Sequence, residues 1–200
     1  MRRAAFRDER YWARPVPGFG DPDARLFIIG LAPAAHGGNR TGRVFTGDGA
    51  GGSGDFLMAA MHANGFASQP VSRHAADGLQ LRDAFISAAV RCAPPDNKPT
   101  PQEFARCADH LLAEWAALPR VSVVVCLGKL AWDAACKALA AQGQPVPRPR
   151  PVFAHGAVYA VPGGPHLLAA YHPSRQNTHT GRLTAAMMEA VFERERAVLS

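Results

Sequence analysis

Four short apolar runs decide what this chain can fold into. LFIIG at 26–30, FISAAV at 85–90, VSVVVCL at 121–127 and LLAAY at 167–171 are nearly continuous and do not alternate. A strand that is apolar on both faces must be covered on both, which is the condition of a parallel sheet between helical layers. AVYAV at 157–161 reads as a further strand. Helical stretches fall between the runs. TPQE at 100–103 is a capping box with proline at the first helical position, so a helix starts there and extends to about 118. Others are expected over 54–64, capped by Ser53, over 128–141 and over 181–197. The alternation implies an α/β protein, a three-layer α/β/α sandwich with a mostly parallel central sheet. The 200 residues fit one domain over 25–200, preceded by an extended, proline- and glycine-rich segment over 1–24.

Composition narrows the class. At 48% hydrophobic, the chain buries a core and is not disordered. No apolar run approaches the roughly 18 residues of a membrane helix. The start, MRRAAFRD, is too charged for a signal peptide. A cytoplasmic monomer with no membrane partner is expected. The net charge is +6, and of the 22 basic residues three are lysines, leaving 19 arginines. Arginine's planar fork suits phosphates, which points to a polyanion. A coding sequence rich in G and C would raise arginine, alanine, glycine and proline together and explains the same excess. The four cysteines include no C-x-x-C pair, and Cys126 and Cys136 sit in apolar patterns that read as core.

In such sheets the working loops follow the carboxyl ends of the strands. Residues 31–53, 92–100 and 172–180 meet that description. A glycine-rich stretch as long as the first is functional more often than structural. Its GDGAGG at 47–52 matches G-x-G-x-x-G, but lies well past the strand instead of directly after it, so a dinucleotide site is not expected. Phe45 offers a flat apolar face among polar neighbours. His172 directly follows a strand, in a stretch that should feed the anion-favouring start of the last helix.

GLAPAAHGGNRTGRVFTGD at 30–48 resembles motif A of the family 5 uracil-DNA glycosylases. His172-Pro-Ser with TGRLT at 180–184 resembles their motif B, and RCAPPDNKP at 91–99 with Cys107 resembles their cysteine-bearing stretch. The resemblance spans about residues 6–195. It implies a base-excision repair enzyme that hydrolyses the N-glycosidic bond of uracil, and of other deaminated or damaged bases, leaving an abasic site. Its partner would be DNA, double-stranded and single-stranded, with the target base flipped into a pocket. A damage-binding module without catalysis is the alternative.

The resemblance also implies roles. His172 would donate to the pyrimidine O2, and Phe45 would stack on the base. Asn39 and Asn97 would read the base edge or position water, or else serve as turn residues. Asp48 would position water or stabilise the sugar cation, or cap its loop. Gly30 and Ala32 would border the substrate. Leu31 and Ala32 stand where related glycosylases have an acid or amide, and Ala88 where family 4 reads uracil, which fits a less selective pocket. Ser174, Arg175, Gln176 and Asn177 would form the loop that enters the duplex. Arg40, Arg43, Arg91 and Arg182 would contact phosphates, or lie on a solvated surface. Cys92 and Cys107 would be two of the four thiolates of a [4Fe–4S] cluster. The other two belong to an N-terminal C-x-x-C that this sequence lacks, so the cluster is expected of a longer, full-length protein.

Overall fold

The computed structural model describes residues 4–47 and 49–199. Six strands form one sheet in the order β1-β3-β2-β4-β6-β5, with β1 Phe19–Gly20, β2 Leu26–Gly30, β3 Ala84–Ala88, β4 Val123–Leu127, β5 Val158–Ala160 and β6 His166–Ala170. The four central strands are parallel, while β1 and β5 pair antiparallel at the edges. Sequence places the central strands to within a few residues. It gives no hint of β1, whose two residues pair Phe19 with Ile86 and Gly20 with Phe85.

Side-chain alternation sorts the apolar runs onto two faces. Leu26 and Ile28 of β2, Ile86 of β3, Val123 and Val125 of β4 and Leu168 of β6 face one core. Helices α2 (Ser53–Ala63) and α6 (Ala185–Leu199) cover it with Leu57, Met58, Met61, Val191 and Phe192. Phe27, Ile29, Val124 and Leu167 face the other core, under α3 (Pro101–Ala116) and α4 (Lys129–Ala141), with Trp115 and Trp132 at its centre. Cys126 and Cys136 are buried there, as their contexts indicate.

The capping box at α3 forms as read: Thr100 Oγ1 accepts from the Glu103 amide while Glu103 accepts from the Thr100 amide. Ser53 does not cap α2. The helix begins one residue earlier, with Gly52 at the cap, and the Asp55 carboxylate accepts from the Gly51 amide instead. The last helix also starts later than expected. A separate short helix, α5 (Arg175–His179), follows His172, so that residue does not feed α6 directly.

The segment before β2 is not a separate extended arm. The amides of Trp12 and Ala13 donate to the carbonyls of Arg40 and Asn39, and the Val16 amide donates to the Arg91 carbonyl. It is stitched across the carboxyl-end loops.

Candidate active site

The loops after β2, β3 and β6 meet at the carboxyl ends of their strands around a cleft of about 760 Å³. Ala32, Phe45, Ala88, Asn97 and His172 line it. Phe45 is aimed inward by its backbone, which takes the left-handed conformation at φ 50°. Its position depends on two glycines. A Cβ at Gly30 would lie 2.7 Å from the Phe45 ring, and one at Gly54 would lie 2.1 Å from its carbonyl oxygen. Gly30 therefore serves the site by making room for the ring and does not itself border the cleft.

His172 stands across from Phe45 with ring centroids 5.9 Å apart and planes tilted by 31°. Its carbonyl accepts from the Asn177 side chain and from the Ser174 amide, each at 2.8 Å. Part of the ring surface stays open to the cleft, but the surrounding protein excludes enough water to push its pKa down to about 4. The imidazole is thus neutral at pH 7. Asn97 reaches the cleft on the turn after β3, where Asp96 and Asn97 both take positive φ, at 51° and 56°. Asx residues tolerate that conformation better than other side chains do.

Asn39 is not among the residues that line the cleft. It lies on the short helix α1 (Gly38–Thr41), and its amide donates to the Ala35 carbonyl at 3.3 Å. Asp48 lies outside the described residues. No carboxylate lines the cleft among the described residues. Three lining or supporting residues escaped sequence reading: Phe6, His36 and Tyr11, whose hydroxyl lies 2.9 Å from His36 Nδ1. His36 sits in the glycine-rich loop and could have been singled out there. Phe6 and Tyr11 come from a distant segment, and no spacing pattern marks them.

The arginines divide. Arg43, expected at phosphates, is buried instead. Its fork pairs with both Asp77 oxygens at 2.8 Å and with Ser72 Oγ at 2.9 Å, while Nε donates to Thr46 Oγ1. Burial alone would raise the Asp77 carboxyl, but Arg43 and the amides of Leu79 and Arg73 bring it down to about 2. Arg40 is likewise held within the protein, bonding Glu9, the His36 carbonyl and the Gly47 carbonyl, with its guanidinium 4.1 Å over the Phe6 ring. Arg91 pairs with Glu114, which also binds Ser87 and the Gly18 amide. These three pin loops together. Arg175 and Gln176 are exposed at the lip of the cleft, and Arg182 is exposed over the Tyr171 ring. Ser174 caps α5, accepting from the Asn177 amide.

Cys92 is exposed as a residue, and partial desolvation of its thiol, with the nearby Cys107 and Glu103, pushes the thiol up. The Arg91 amide donates to Cys107 Sγ at 3.5 Å, and the buried Arg91 Nε has no hydrogen-bond partner among the described residues. Among the described residues no group of three or more His, Cys, Asp or Glu is placed to hold a metal ion. A [4Fe–4S] cluster ordinarily takes four thiolates. The described residues do not fit that group by themselves, and no chemistry below is routed through it.

Residues 17–194 match the family model of the uracil DNA glycosylase superfamily. The chain is 52% identical to the type-5 uracil-DNA glycosylase of Thermus thermophilus, over 98% of this chain and 85% of that one. It is 50% identical to that of Mycobacterium bovis, over 96% and 69%. Similarity to the type-4 uracil-DNA glycosylase of Archaeoglobus fulgidus is lower, at 32% over 58% of this chain and 49% of that one. With an α/β/α fold, a cleft at the carboxyl ends of its parallel strands and this extent of match, the chain belongs to the uracil DNA glycosylase superfamily.

Proposed function

We propose that this chain is a DNA repair glycosylase that hydrolyses the N-glycosidic bond of uracil, and of other deaminated or damaged bases, in DNA. The observation that carries the reading is the facing pair of Phe45 and His172 across the cleft, 5.9 Å between centroids, in a member of this superfamily. A flipped base enters such a cleft and stacks on the Phe45 ring, an interaction contributing about 1–3 kcal/mol. As the glycosidic bond breaks, positive charge grows on the sugar and negative charge on the departing base. A ring N–H of His172 donates to that growing charge at the pyrimidine O2. The neutral imidazole keeps one ring N–H, which is the donor this role needs.

Asn97 both donates and accepts, and so can read a base edge. Asp48, outside the described residues, is proposed to position water or to stabilise the sugar cation. The apolar Ala32 and Ala88 leave the base edge unread on their side, in keeping with several substrates. Arg175 and Gln176 at the lip extend toward the duplex. The cofactor reading rests on Cys92 and Cys107. Visible absorption with bound iron and sulfide in the purified protein supports it, and colourless, iron-free protein rejects it.

The test is a duplex oligonucleotide carrying one uracil, with alkali used to cut abasic sites. Strand breaks at uracil are expected, and their absence with uracil, hypoxanthine and ethenocytosine defeats the proposal. His172→Ala should slow base release by about 10²–10³-fold, the usual cost of one such donor, while DNA affinity stays near wild type. The wild-type rate should not decline through His172 protonation until the pH approaches about 4.

A further inference from the structure

Tyr171 lies one peptide bond before His172, just beyond the end of β6. The Ala169 amide donates to the carbonyl of Ala157, the residue before β5, at 2.8 Å. The Tyr171 amide emerges past β5 and is taken by a side chain: His155 Nδ1 accepts it at 3.1 Å. The two rings also stack, with centroids 5.1 Å apart and planes at 32°. Phe153 at 6.2 Å and the Arg182 guanidinium at 4.7 Å contact the same Tyr171 ring. One half-buried imidazole therefore joins the loop before β5 to the exit of β6.

We infer that His155 is a positioning residue for His172, holding through Nδ1 the Ala170–Tyr171 peptide, one residue upstream of His172. The inference rests on the role proposed above for His172. Nδ1 can accept only when the ring proton is on Nε2. The ring then acts as a strut between the loop before β5 and the exit of β6, through the Nδ1 bond and its face against Tyr171. From the other direction, the Asn177 side chain and the Ser174 amide hold the His172 carbonyl. His155 completes the set by fixing the residue upstream. Loss of the strut frees the strand exit to shift, and a shift of about 1 Å at a reacting group costs up to about 10²-fold in rate.

Three variants separate this from general support of the fold. His155→Asn keeps an acceptor near the Nδ1 position. His155→Gln keeps a donor near the Nε2 position and loses that acceptor, and His155→Ala loses both. Base release from uracil duplex is expected to fall about tenfold in kcat for Ala and for Gln, with KM within about twofold, and to return to within about threefold for Asn. Amide hydrogen exchange at Tyr171 should quicken in Ala and Gln and stay slow in Asn. Wild-type kcat in the Ala variant would overturn the inference, and so would equal losses in Asn and Gln. Wild-type protein that releases no base fails the proposed function instead. The exchange pattern at Tyr171 then still tests the strut, and unchanged exchange in every variant overturns it.

Discussion

Phe45 and His172 reach one cleft from loops of different build. The loop that carries Phe45 is long, and it is held from far away in the sequence. Arg43 in this loop is paired with Asp77 within the protein, and Arg40 ties the loop to Glu9. The loop that carries His172 is short and largely supports itself, through Ser174 and Asn177 bonding within a few residues. A long excursion pays conformational entropy that short-range contacts do not offset, so it is anchored by distant charge pairs, of which Arg43–Asp77 is buried. A tight turn closes on its own caps.

The difference can be broken from the long loop first. Arg43→Ala leaves the Asp77 carboxylate buried without its cation and should cost about 3–5 kcal/mol of stability by denaturant unfolding. A cost below about 1 kcal/mol would mean that the pair is not the anchor. The same pair predicts an acid dependence. The Asp77 carboxyl is lowered from 3.8 to about 2, so its contribution is present above about pH 4 and is lost as the pH falls toward 2. Unfolding measured across that window should show a loss of about 2 kcal/mol in wild type that is reduced in Arg43→Leu. The short loop should respond least in stability and more in chemistry. Asn177→Ala removes one hydrogen bond and should cost about 1 kcal/mol, while kcat for base release falls more than that stability change implies. Unaltered kcat would show that the Asn177 bond to the His172 carbonyl is dispensable.

What the sequence disclosed follows the same division. The four central strands and the capped helix α3 were legible because local pattern specifies them: continuous apolar runs in one case, Thr100-Pro-Gln-Glu in the other. The glycine-rich loop, Phe45, Asn97 and His172 were legible from motif and position after strands. Arg43, Arg40 and Arg91 were not, since an arginine that meets a phosphate and one that meets a buried carboxylate look alike along the chain. Only the folded partners Asp77, Glu9 and Glu114 distinguish them. Edge strand β1 and the contribution of Phe6 and Tyr11 to the cleft stayed hidden for a related reason. Both arise from pairing across long separations, which a local pattern does not encode.

The packing of Gly30 and Gly54 against Phe45 bears on how the cleft can change over evolutionary time. A ring seated against Gly30, on a positive-φ backbone whose carbonyl is packed against Gly54, has little room to withdraw. An incoming base meets a surface already in place and loses little affinity to freezing it. The same confinement leaves little latitude for altering base preference by moving the ring. Changes of selectivity are thereby channelled to the small residues Ala32 and Ala88, where a longer side chain can enter the cleft without disturbing the wall opposite.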